Sequence, residues 1–232
     1  MAGLREELIK RASEFLGVSE EEINLRIKNN VQNAIDDWNK RGSINGFYQT
    51  TDAYIYGLID YCSEKRLLNN LFPITDWVGK DILDFGGGIG VHSLILSRNN
   101  NVFYYDLDSK TKEFAKYLNK TMGGNITFID DEKDVYEKKY DVVLALDVLE
   151  HLEKPMDTVI KITDSLKPSG YFITTGFDFS TGPHTPMHLP ENLHYIFPFA
   201  EYMNKNYILM YFYISNEVNY CFKKREQKGE TD

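Results

Sequence analysis

Cysteine is scarce in this chain: two among 232 residues, Cys62 and Cys221, far apart and each inside an apolar run. That scarcity excludes a disulfide framework and a cysteine-built zinc cluster, and it suits a reducing cytoplasm. Basic residues are in deficit, 26 Lys+Arg against 35 Asp+Glu, for a formal net charge of −9. A negative field of that size argues against a broad nucleic-acid footprint. Nor does any apolar run approach the ~18–20 residues that span a bilayer. The opening MAGLREELIKRASEF alternates charged with apolar residues, so neither a secretion signal nor a membrane partner is expected. What the chain has in quantity is aromatic: 16 Tyr and 14 Phe, enough to fill a core or line a pocket.

Residues 1–77 read as a helical extension. Leu4, Leu8, Ala12, Phe15 and Leu16 form one helical stripe that stops at Gly17. Ser19 with Glu22 makes a capping box for a second helix, whose apolar face is Ile23, Ile27, Val31, Ile35 and Trp38. Residues 41–46 (RGSING) are a polar loop by composition, and a third helix is expected over about 51–68 with Ile55, Leu58, Ile59 and Cys62 inward.

From Asp81 the pattern changes. DILDF, NVFYYD, NITFID, YDVVLAL and GYFITTG are short, near-continuous apolar runs separated by amphipathic segments, the pattern of a parallel sheet covered on both faces. At the end, NYILMYFYIS and EVNYCFKKR are joined by so short a link that they must run antiparallel. The expected fold is α/β and Rossmann-like: a mostly parallel seven-stranded sheet over 78–225, closed by an antiparallel hairpin, with a frayed tail at 226–232.

Ile82-Leu-Asp-Phe-Gly-Gly-Gly-Ile-Gly90 is a strand entering a glycine-rich turn, which lets a ligand lie against the backbone. It is not the dinucleotide pattern G-x-G-x-x-G/A: from Gly86 the third position is Val91, and from Gly88 it is Ser93. Asp84 faces an ammonium better than a pyrophosphate. Asp106 ends the second strand, where a carboxylate can accept from both hydroxyls of a ribose; Asp130-Asp131 ends the third; Leu146-Asp-Val-Leu-Glu-His-Leu152 ends the fourth. Every candidate falls at a strand's carboxyl end, where open α/β sheets bind ligands.

With LDFGGGIG (83–90), YYDLD (104–108), ALDVLEHLEKP (145–155) and LKPSG (166–170), the chain resembles the class I S-adenosylmethionine-dependent methyltransferases over about 81–225. The resemblance implies S-adenosyl-L-methionine as cofactor. Gly86, Gly88 and Gly90 would wrap its methionine part, with Asp84 near the ammonium, Asp106 on the ribose and Asp130 or Asp131 at the adenine edge. Phe85, Leu107 and Leu146 flank those positions, Asp147 would sit beside the sulfonium and substrate, and His151 would order the cofactor loop. Gly87 stands where the family commonly has cysteine, a change expected to cost packing but not cofactor binding.

Extensions such as 1–77 often fold over the cofactor as a lid in this superfamily. In Phe47–Tyr56, Tyr48 is the candidate to face a sulfonium through its ring, against the plainer reading that such tyrosines pack between helices. His184 and His188 lie four apart, but Pro183, Pro186 and Pro190 oppose a helix there, so no metal is expected. Their roles are open between general base and loop capping, with His151 and Asp147 as further base candidates. His92 is structural or near the methionine carboxylate.

The function implied is in-line methyl transfer to a small or medium metabolite. Two alternatives stand. One is the same fold with other chemistry, an intramolecular cyclase or aminocarboxypropyl transfer releasing methylthioadenosine; the other is a non-catalytic S-adenosylmethionine-binding protein. The expected partner is the small-molecule acceptor, with a homodimer left open.

Overall fold

The computed structural model describes residues 3–41, 43–62, 71, 74–175, 182, 185–214 and 218–226. Residues 227–232 of the expected tail at 226–232, residues 63–68 of the third expected helix, and His184 lie outside the described residues.

The first helix, α1 (Leu4–Leu16), ends on Gly17 at φ 69°, as its stripe predicts. Ser19 caps α2 (Glu20–Lys28) by accepting from the Glu22 N–H at 3.2 Å, but the Glu22 carboxylate turns to Arg26. The single second helix expected through Trp38 is broken. It stops at Asn29 and restarts as α3 (Asn30–Arg41), at a pair of asparagines, a residue type of low helix propensity. The break turns Val31 outward to 52% exposure. The expected 41–46 loop is largely helical as well: Ser43 Oγ accepts from Gly46 N–H at 3.1 Å and starts α4 (Ile44–Thr50). The third expected helix appears as α5 (Ala53–Tyr61), with Ile55, Ile59 and Cys62 buried.

The sheet has seven strands in the order β3-β2-β1-β4-β5-β7-β6. Strand β1 (Asp81–Phe85) pairs in parallel with β2 (Asn101–Tyr105) and β4 (Tyr140–Ala145), β2 with β3 (Ile126–Ile129), and β4 with β5 (Leu166–Thr174). The hairpin of β6 (Tyr207–Ile214) and β7 (Val218–Lys224) closes it antiparallel, as expected.

Covering both faces explains the apolar runs. Ile82, Val102, Val142, Leu144 and Ile173 face one cluster, which α1, α2, α5, α6 (Val91–Leu96) and α7 (Lys110–Thr121) complete. Leu83, Phe85, Val143 and Phe172 face the other, under α8 (Glu132–Glu137), α9 (Pro155–Asp164) and α10 (Ile196–Asn206). The N-terminal helices therefore share a continuous core with the sheet. Phe15 of α1 packs on Phe114 and Tyr117 of α7, with centroids 5.2 and 5.4 Å away. Among the described residues no helix is long and apolar enough to cross a membrane.

Candidate functional site

Register places the site. Asp84 lies beside Tyr104 of β2 and Leu144 of β4, so the carboxyl ends of three parallel strands open at one level. A cavity of about 570 Å³ occupies that end, roofed by α3–α5. The turn after β1 enters it through Gly86 at φ 70°, where a Cβ would stand 2.4 Å from Val148 Cγ2. Only glycine suits both that backbone and that approach.

Gly87 has a different reason. A Cβ there would meet the Tyr104 ring at 2.5 Å. That ring cannot retreat: it is fully buried, packed at a tilt against Phe128 at 4.9 Å, and its hydroxyl donates to Gly88 O at 2.6 Å. Tyr104 thus fills the space a cysteine side chain would take, and the packing cost expected for Gly87 is met from the neighbouring strand. Gly87→Cys should destabilise the fold by ~1–3 kcal/mol through overpacking. Tyr104→Val alone should also destabilise, but the Gly87→Cys, Tyr104→Val double variant should lose less than the two single losses added together, because neighbouring sites couple. Chemical denaturation of the two single variants and the double reads this; strict additivity would refute the complementarity.

Two carboxylates line the cavity, Asp84 buried and Asp106 half-buried. Asp84 accepts from Ser93 Oγ at 2.6 Å, and burial pushes its pKa up to about 6. Asp106 is also pushed up to about 6 by burial, while Gly88 N–H and Leu107 N–H each donate to it at 2.7 Å. It therefore ties the end of β2 to the glycine turn. Asp147 sits in the left-handed region at φ 51°, a conformation aspartate tolerates. Its N–H donates to Thr175 Oγ1 at 2.6 Å, and the Thr175 hydroxyl donates back to its carboxylate, so two strand ends lock this acid in place.

Across the cavity, Tyr48 of α4 reaches His151: its hydroxyl lies 2.8 Å from Nδ1, and Met187 O lies 3.2 Å from the same nitrogen. A carbonyl can only accept, so a proton on Nδ1 serves Met187 and leaves the ring's lone pair on Nε2. Burial, helped by nearby His188, holds His151 down at about 3, so the imidazole is neutral. Burial raises the Tyr48 phenol well above its ordinary value. The His188 ring packs edge-on to His151 at 4.7 Å, and Glu150, His151 and His188 each bring one ligand-type atom within 4.8 Å of the others. Asn192, which sequence reasoning missed, fixes this turn: its buried amide reaches the carbonyls of Glu150 at 3.0 Å and Leu152 at 2.9 Å.

Of the predicted residues, Asp84, Phe85, Gly86, Gly88, Asp106, Leu107, Leu146, Asp147, His151 and Tyr48 all line this one cavity. Gly90, Asp130, Asp131 and His188 are not among its lining residues. Gly90 packs towards Ala115, where a Cβ would stand 3.2 Å from that methyl group. Asp130 is held by Lys112 and Lys116 at 3.1 Å each, and Asp131 caps α8 by accepting from Lys133 N–H at 2.9 Å. The acid that reaches the cavity after β3 is Glu132. His92 lines the cavity from α6, with its Nε2 buried and unpartnered. Tyr54, from the aromatic segment 47–56 considered for the pocket, lines the cavity too, whereas Asp60 was not foreseen, since helical periodicity assigns residues to a face and not to a cavity.

A family model described as "Methyltransferase domain" matches residues 56–225. A ubiquinone biosynthesis O-methyltransferase of Shewanella pealeana is 31% identical over 98 residues, covering 40% of this chain and 42% of that protein. The chain thus spans less than half the length of that relative. Among solved structures, an O-methyltransferase family protein from Burkholderia thailandensis superposes with TM-score 0.55 at 16% identity, over 88% of this chain and 72% of that one. A Haemonchus contortus phosphoethanolamine N-methyltransferase 1, in complex with phosphoethanolamine and S-adenosylhomocysteine, gives 0.55 at 14% identity, over 90% of this chain and 51% of that one. At those identities the likeness is one of fold.

Proposed function

The chain belongs to the methyltransferase-domain family, and from that premise we propose that it moves a methyl group from S-adenosylmethionine to a hydroxyl of a small acceptor without negative charge. One observation carries the reading: a single cavity gathers the glycine turn, Asp84, Asp106, Asp147 and the Tyr48–His151 pair. The residues suit the cofactor. Side-chain-free Gly86 and Gly88 leave room for its amino-acid part, Asp84 can accept from an ammonium, and Asp106 keeps acceptor capacity for a ribose diol.

When bound, S-adenosylmethionine supplies an electrophilic methyl group on a positively charged sulfur. The chain's own contribution is position and proton handling. Asp147, locked by Thr175, holds its carboxyl group in a fixed place in the cavity, and Tyr48 and Tyr54 form an aromatic wall against a cation. His151, oriented through Nδ1 by Met187 and Tyr48, is neutral and takes the acceptor's hydroxyl proton. Holding nucleophile and donor in line supplies most of the acceleration. The acceptor's lack of negative charge follows from the walls: among the described lining residues there are five carboxylates, Asp60, Asp84, Asp106, Glu132 and Asp147, and no Lys or Arg. Two free, buried cysteines suit work in a reducing cytoplasm.

Calorimetry with S-adenosylhomocysteine and NAD, followed by product analysis with S-adenosylmethionine, tests the reading. S-adenosylhomocysteine should bind and NAD should not; release of methylthioadenosine would instead select the non-methylating alternative. The pH dependence has a definite sign. Asp84 and Asp106 carry raised pKa values near 6, so in the free protein protons compete with ammonium and ribose hydroxyls below that value. Affinity should rise from about pH 5 to about pH 7 and then level. Stability of the ligand-free protein should move the opposite way, because the folded state holds these protons more tightly than the unfolded chain. Asp84→Asn and Asp106→Asn should each flatten the binding curve. A pH-independent affinity would remove both carboxylates from the ligand.

A further inference from the structure

His92 stands in the first turn of α6 and lines the cavity. It is 7% exposed, and its Nε2 is enclosed without a hydrogen-bond partner. A buried polar atom in that state is costly to the folded protein and calls for a reason. The walls supply one. The cofactor's amino-acid end bears both an ammonium and a carboxylate, and the described lining offers carboxylates for the first but no Lys or Arg for the second. His151 is engaged by Tyr48 and Met187 on the far side. His92 comes from the helix that starts at the glycine turn, three residues after Ile89 of the lining and one before Ser93, which already holds Asp84.

Resting on the functional reading above, we propose that His92 is a positioning residue that donates a ring N–H to the carboxylate of the cofactor's amino-acid end, while Asp84 accepts from its ammonium. The two groups then form a matched pair on one turn, donor and acceptor, that registers the methionine part against the glycine loop. The pair also explains why a buried imidazole with no internal partner is kept where leucine would pack. Burial holds the ring at about 4, so it meets the ligand neutral and needs no counter-charge in the free protein.

The test compares two probes that differ in the amino-acid end, S-adenosylhomocysteine and methylthioadenosine, on wild type, His92→Leu and His92→Gln. His92→Leu should weaken S-adenosylhomocysteine by ~10-fold or more, the scale of a lost hydrogen bond to a charged group, and leave methylthioadenosine unchanged. His92→Gln, which keeps an N–H donor, should recover part of the loss. The melting temperature of ligand-free His92→Leu should hold or rise, since an unpartnered polar atom is gone, while the shift induced by S-adenosylhomocysteine shrinks. Equal weakening of both probes, or no weakening of either, would overturn the assignment. Should His92→Leu fail to fold, the His92→Gln variant carries the same comparison, with full methylthioadenosine affinity and reduced S-adenosylhomocysteine affinity expected. Failure of the wild type to bind S-adenosylhomocysteine at all would instead overturn the functional reading, so the two failures are distinct.

Discussion

His151→Asn should lower turnover by about 10²–10⁴-fold, the usual contribution of a positioned general base, while S-adenosylhomocysteine affinity and melting temperature stay near wild type. Asparagine can still donate to the Met187 carbonyl through its amide, so the turn that carries residue 151 keeps its anchor. Asn192 secures the same turn independently through the Glu150 and Leu152 carbonyls. What the variant lacks is a lone pair able to accept a proton. Tyr48→Phe keeps the aromatic wall and loses only the hydroxyl that meets Nδ1, so its loss should be smaller, on the order of tenfold. Turnover of the wild type should fall on the acid side as the raised carboxylates near 6 take up protons. The drop in turnover with cofactor affinity and melting temperature retained in His151→Asn is what separates a chemical role from a structural one. A His151→Asn variant with unreduced turnover would leave Asp147 as the remaining base candidate from the sequence that the cavity contains.

The central strands were legible because they are buried on both faces and so read as near-continuous apolar runs, such as DILDF and YDVVLAL. The edge strands β3 and β6, where Thr127 and Ile208, Leu209 and Met210 are exposed, were legible from their β-branched and aromatic composition. Asp84, Asp106 and Asp147 were legible for a related reason: a strand's last residues mark the ligand edge of a parallel sheet. The N-terminal helices were less so. Periodicity carried the Ile23–Trp38 face straight through Asn29-Asn30, where two residues of low helix propensity mark the end of one helix and the start of another. What local pattern could not supply were partners made by folding. Tyr48 and His151 are 103 residues apart in the chain, and Gly87 is explained only by the ring of Tyr104 on the next strand. After β3 the acid pair was placed at the correct strand end, but Lys112 and Lys116 of α7 draw Asp130 aside and helix capping uses Asp131, so the cavity receives Glu132.

Asp106→Ala is expected to weaken S-adenosylhomocysteine by roughly 10²–10⁴-fold, because two ribose hydroxyls would each lose a charged acceptor, at ~1.5–3 kcal/mol per bond. A second consequence adds to the first. Asp106 also accepts from Gly88 N–H at 2.7 Å, so its removal loosens the glycine turn that should cradle the amino-acid part. The conservative variant separates the two. Asp106→Asn keeps one carbonyl oxygen, which can hold Gly88 N–H, but loses the charge and half the acceptor capacity; affinity should fall by about tenfold. Its stability near neutral pH should not suffer, because a carboxylate whose pKa is raised to about 6 by burial is a cost to the folded state when ionised. Calorimetric titration of both variants, read beside their melting temperatures, therefore distinguishes a ribose acceptor from a scaffold. Loss of affinity with stability retained in Asp106→Asn supports the ribose role, whereas loss of stability with undiminished affinity would move the ribose elsewhere in the cavity, with Glu132 the next acid in reach of it.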